Sequence, residues 1–184
     1  MTFYNLFNKT ALLIFTATIL ISANADAEPS KEETYDFISN KLTNNGIRID
    51  EFRKKMFGFF ISNTKLTAST DMCTIIYTDD IYDVNNKILK TSASTTSLKD
   101  INPNTITAQQ FKSSYPYAIV EILTKSKKSL IETNVSEYGV SGAKNKSDKT
   151  HYLGLVTLDY DQATRVAKAL KHLVTICGGK DELF

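Results

Sequence analysis

The sequence has no tryptophan, only two cysteines and two histidines, three prolines and seven glycines in 184 residues. Each scarcity excludes something. Two cysteines and two scattered histidines do not make a structural zinc site, which needs four ligands at close spacing. A nucleophilic enzyme needs an activated Ser or Cys beside a His. Only His151 and His172 are available, G-x-S-x-G is absent, and His172 and Cys177 fall on different faces of a helix. No glycine-rich phosphate cradle is present. Strong charge of either sign is missing as well: 22 basic residues stand against 20 acidic ones. A near-neutral balance argues against nucleic acid as a partner, because such binders carry a strongly basic domain.

What is there begins with an export pattern. Lys9 precedes an uncharged apolar run from Ala11 to Ile21, followed by Ser22-Ala23-Asn24-Ala25-Asp26-Ala27. Small residues at Ala23/Ala25 or Ala25/Ala27 suit an export peptidase, so residues 1–27 read as a cleavable signal peptide. The run is shorter than the roughly 20 apolar residues that cross a bilayer. The expectation is an exported protein, periplasmic or secreted, with residues 28–184 as one globular domain and no transmembrane segment in the mature chain. Losing one Lys and one Asp leaves 21 basic and 19 acidic residues, and no cofactor or metal is expected. Lys180-Asp181-Glu182-Leu183 spells a retention signal, but Phe184 follows it, and such signals are read at the free carboxyl end.

Ser30 with Glu33 forms a capping box, and Tyr35, Ile38 and Leu42 line one side at spacings of three and four. The spacing predicts a helix over 31–44, with Gly46 as its stop. Strands are expected over 47–158. Phe57–Ile61 is compact and aromatic, and Cys73, Ile75 and Tyr77 alternate onto one face. Ile88–Leu98 is rich in Ser and Thr, which suit a half-exposed pleat. Tyr117–Thr124 is apolar on both faces and so central. Lys125–Lys128 reads as the turn of a hairpin leading to Leu130–Val135, and Tyr152–Leu158 as the last strand. Asp79-Asp80 reads as a turn, against a carboxylate pair for hydrolysis or a calcium loop whose D-x-D-x-D-G spacing is missing. The polar stretch Ser136–Thr150 is expected to be a mobile exposed loop. Ala163, Val166, Ala167, Leu170, Leu173, Val174 and Cys177 then recur on one stripe, predicting a helix over 161–177 capped by Asp159 or Asp161 and ended by Gly178-Gly179. That stripe must cover a sheet, and it would carry Cys177 onto that sheet, where Cys73 could lie. In an oxidising setting the two form a disulfide candidate; the alternative is two buried thiols that never meet.

The segment Arg165–Leu173, then Cys177-Gly178-Gly179-Lys180 and Phe184, resembles the closing segment of small exported bacterial proteins with a pleckstrin-homology-like (PH-like) fold. Ser97-Leu98-Lys99-Asp100-Ile101-Asn102-Pro103 is similar to a strand exit that recurs in them. Most such proteins have no assigned activity. The resemblance implies an α+β fold: an antiparallel sheet or partly open barrel capped by the C-terminal helix, here with an additional N-terminal helix. Lipid-binding PH domains use a basic run between their first two strands. The corresponding stretch, Ser62–Asp71, offers Lys65 alone, so no lipid-binding residue is carried over.

Two basic clusters remain, Lys125, Lys127 and Lys128 in the expected turn, and Lys144, Lys146 and Lys149 in the expected loop. At one end of a barrel they would form an electropositive rim for anionic lipid headgroups; otherwise they keep connections solvated. The function expected is a non-enzymatic binding module, a secreted factor recognising a protein or an anionic membrane surface through its loops. The alternative is a periplasmic inhibitor or immunity-type protein that blocks a toxin or lytic enzyme, and an enzyme of unknown class comes third.

Overall fold

Thr34, Ile38 and Leu42 are buried at intervals of four on one side of helix α1 (Lys31–Leu42). Glu32 and Glu33 in its first turn and Lys41 in its last match the helix dipole. The computed structural model describes residues 28–43, 59–110, 117–139 and 142–180, excluding the side chains of 59–63. Gly46, Phe57 and Gly58 lie outside the described residues. The chain divides after Ser30, and the unit Lys31–Phe184 is the one described below; the signal-peptide reading of residues 1–27 lies outside the described residues.

Eight antiparallel strands form two sheets among the described residues. β1 (Phe59–Ala68), β2 (Thr74–Asp83), β3 (Ile88–Ser97), β6 (Ile131–Gly139) and β7 (Gly142–Thr150) lie side by side in that order. β4 (Thr107–Gln110), β5 (Ala118–Leu123) and β8 (Tyr152–Thr157) make the second sheet, with β5 central as its apolar faces predicted. Short 3-10 turns at Leu98–Asp100, Pro103–Thr105 and Lys125–Lys127 carry the chain between sheets. Helix α2 (Tyr160–Ile176) starts at Asp159, whose Oδ1 accepts from the Gln162 N–H at 2.7 Å. Gly178 at φ +84° then turns the chain, and the Gly179 N–H returns to the Val174 carbonyl.

The core is the apolar stripe of α2 against Ala118, Val120 and Ile122 of β5, Leu153 and Leu155 of β8, and one half of the larger sheet. Cys73, Ile75 and Tyr77 all face it, as their alternation predicted. The Tyr77 hydroxyl joins the two sheets by accepting from the Val156 N–H at 3.2 Å. Burial pushes that phenol far above its ordinary pKa, so it stays neutral. Asp71 positions Cys73 by accepting from its N–H. The Cys73–Cys177 disulfide then ties the start of β2 to the residue that ends α2, with 5.4 Å between Cα atoms.

The expected antiparallel sheet is present as two separate sheets, not closed into a barrel. Four other expectations need correction. The chain passes between the sheets at Lys125–Lys128. That connection is therefore no hairpin. Ser126 and Lys127 both have φ of +51°, the Lys125 ammonium binds the Lys99 carbonyl at 2.5 Å, and the flanking strands pair elsewhere. Ser136–Thr150 is not a loop, because β6 runs on to Gly139 and pairs along its length with β7. Its polarity misled because both faces of β7 are exposed, so the strand needs no apolar alternation. Asp79-Asp80 lies mid-strand in β2, and the turn falls at Val84–Lys87, where the Asp83 carboxylate accepts from the Asn85 and Lys87 N–H groups. Likewise β1 extends to Ala68, leaving a connection of only Ser69–Cys73 before β2.

Candidate functional site: the projecting sheet

The larger sheet is longer than the core it covers. Beyond Tyr77 on β2, Ser94 on β3 and Thr133 on β6, the strands project as a wing with no fully buried position among its described side chains. Every residue of β7 from Gly142 to Lys149 is exposed. Polar strands suffice here, because the backbone ladder satisfies the peptide groups and either face is wet.

Register places the wing's side chains in rows. On the face that continues the core, Asp79, Ser92, Val135 and Lys146 lie in one row, and Ile81, Lys90, Glu137 and Lys144 in the next. Glu137 thus stands between two lysines. Lys146 also reaches Asp148 at 3.9 Å, a weak surface pair. On the other face Asp80 accepts from the Thr91 hydroxyl at 2.7 Å, and the Ser136 hydroxyl donates to Asn145 at 2.9 Å. At the tip, Leu89, Lys90, Glu137, Tyr138 and Lys144 line a shallow depression of ≈ 380 Å³.

Asp79 is the most perturbed acid of this wing. Burial pushes its carboxyl above the usual carboxylate range, the Ser92 hydroxyl bound to it and the nearby Lys90 ammonium oppose, and Asp80 adds to the rise. A raised pKa means that the folded state holds the proton more tightly than the unfolded chain. Its effect favours the folded state most in acid and declines as pH rises through the folded value. Asp79→Asn should therefore be more stable than the parent at pH 7, with the advantage vanishing as pH falls to about 4. Urea unfolding at both values checks it. A variant less stable at pH 7 would show that the Ser92 bond needs the charged carboxylate.

The six lysines singled out in the sequence do not share one rim. Lys144, Lys146 and Lys149 are on a strand, and Lys149 points to the opposite face from the other two. Lys144 and Lys149 are about 17 Å apart along β7. Lys149 pairs in register with Glu132, and Lys144 with Glu137. Lys125, Lys127 and Lys128 sit in the turn between sheets, nearer the Lys149 end. His151 is exposed just before β8, and His172 is half-buried on α2. Among the described residues no group of His, Cys, Asp or Glu is arranged to hold a metal ion. None of the helices described is long and apolar enough to cross a membrane.

Sequence reasoning missed the paired rungs Asp79–Ser92 and Asp80–Thr91. The Ser/Thr run of β3 was a signal for them, since hydroxyls at alternate positions present partners to a neighbouring strand. It also missed β4, four residues without aromatic or β-branched bulk apart from Thr107. No protein family matches the chain, and no significant match emerges among curated proteins or solved structures.

Proposed function

We propose that the chain is an exported, non-enzymatic binding module that recognises a protein partner through the wing of its larger sheet. One observation carries the reading: the row Lys90, Glu137, Lys144 alternates in sign on a strand surface that no described residue covers. Mixed charge in fixed register suits a partner with complementary charges at matching positions. An anionic membrane would instead favour lysines gathered on one side. The disulfide accords with an oxidising compartment. PH-like kinship and the signal peptide at residues 1–27 belong to the same proposal.

The test has two arms. Cell fractionation should find the chain outside the cytoplasm, shortened to a start after Ala25 or Ala27 by N-terminal sequencing. A photo-crosslinking residue at Lys146, on the same face as Glu137 and Lys144, should then capture one extracytoplasmic protein, and Glu137→Lys should abolish the capture while leaving the melting temperature unchanged. Full-length chain in the cytoplasm defeats the export claim. Cosedimentation with anionic vesicles, lost when Lys125, Lys127, Lys128, Lys144, Lys146 and Lys149 all become Gln, would replace the protein partner by a lipid surface. Tight one-to-one inhibition of a lytic enzyme would identify the partner as that enzyme.

A further inference from the structure

The two sheets present four edges, and three are guarded. On β1 the outward Leu66 carbonyl accepts from the Tyr35 and Ser39 hydroxyls of α1, each at 3.2 Å, and the strand bulges between Ser62 and Lys65. On β7 the charges of Lys144, Lys146, Asp148 and Lys149 discourage a further strand. On β8 the outward Val156 N–H is taken by Tyr77. β4, Thr107-Ala108-Gln109-Gln110, carries no charge, proline or glycine, and no described strand lies beyond it.

The hydrogen-bond phase shows which β4 groups point outwards. Val156 faces Ile119 yet directs its N–H away from β5, so that pair is not hydrogen-bonded. Ile119 therefore directs its own N–H and C=O to Gln109 on the other side. Alternation then leaves the N–H and C=O of Ala108 and Gln110 facing away from the sheet.

A shallow groove of ≈ 360 Å³ runs beside this edge, between β4 and α2. Ile106, Ala108 and Ala167 give it an apolar floor, Tyr160 and Thr164 line one end, and Lys168 and Lys171 the other. From Tyr160 to Lys171 the helix covers about 16 Å, room for roughly five extended residues. Both lysines are exposed.

We propose that the β4 edge and the adjoining stripe of α2 bind an extended acidic peptide segment as an added strand. The outward groups of Ala108 and Gln110 supply main-chain hydrogen bonds, and small residues of the segment cover the floor. Its carboxylates meet Lys168 and Lys171. Strand addition combines main-chain affinity with side-chain selection in this way. The site is separate from the wing, so either can fail without the other.

The experiment uses the intact chain and the short fluorescein-labelled peptide Ala-Thr-Ala-Thr-Glu-Thr-Glu, whose alanines and glutamates share one face of an extended strand, read by anisotropy. Binding is expected, with slowed amide exchange at Ala108 and Gln110. The same peptide with lysine for glutamate should not bind. Lys168→Glu with Lys171→Glu should raise Kd at least about tenfold at unchanged melting temperature. Ala108→Pro removes an outward N–H while sparing the β4–β5 ladder, and should abolish binding. Glu137→Lys on the wing should leave peptide binding intact. No binding to the parent chain, equal binding of the lysine peptide, or undiminished binding after both lysine reversals would overturn the proposal. A concentration-dependent dimer abolished by Ala108→Pro would also overturn it, since the occupant would then be a second copy of this chain.

Discussion

Cys73→Ser, Cys177→Ser and the double variant should each lose the same stability, about 4–5 kcal/mol on a chain-entropy account of a loop this long. The bridge spans 104 residues in sequence and is a single covalent unit, so removing either half removes all of it. Structure adds a local reason for a large effect. The Lys31 ammonium at the start of α1 lies 3.4 Å from the Cys73 sulfur and 3.1 Å from the Asp71 carbonyl. The end of α2, the start of β2 and the start of α1 therefore meet at one place. Urea unfolding of the three variants and of the reduced parent should give four coincident curves. Unequal single-variant losses, or a thiol assay finding two free cysteines in unreduced protein, would refute the shared bridge.

Leu170→Ala should cost about 3 kcal/mol and lower Tm by roughly 10 °C. Leu170 is fully buried, midway along the α2 stripe that seals the smaller sheet. Truncating it opens a cavity that two rigid layers cannot both move to fill. Leu158→Ala is the matched control: that side chain is 44% exposed, and its loss should cost under about 1 kcal/mol. Equal costs would mean that α2 does not seal the core as described. Differential scanning calorimetry of both variants decides between these outcomes.

These two predictions concern the features most legible in the sequence. The α2 stripe was readable because seven residues repeat at helical spacing, and Asp159 and Gly178-Gly179 mark its ends. Cys73, Ile75 and Tyr77 were readable as one face because a half-buried strand must alternate. The candidate sites were far less legible. Lys144, Lys146 and Lys149 looked like loop residues because β7 has no apolar face, and a strand wet on both sides leaves no hydrophobic period. Asp79-Asp80 looked like a turn because it follows the alternating run that ends at Tyr77 and precedes Ile81-Tyr82-Asp83. Their rungs to Ser92 and Thr91 exist only once β3 lies beside them.

The residues alone determined the elements that bury a face: both helices, the alternation in β2, the central place of β5 and the chemical means for one disulfide. Local periodicity reports burial, and burial is what those elements share. Only the tertiary structure decided which strands pair. It sent β5 and β6 to different sheets across Lys125–Lys128, continued β6 and β7 beyond the core, and left β4 with no described strand beyond it. Pairing joins backbone groups distant in sequence that are chemically alike in every strand, so side-chain patterns within one segment carry little record of the choice.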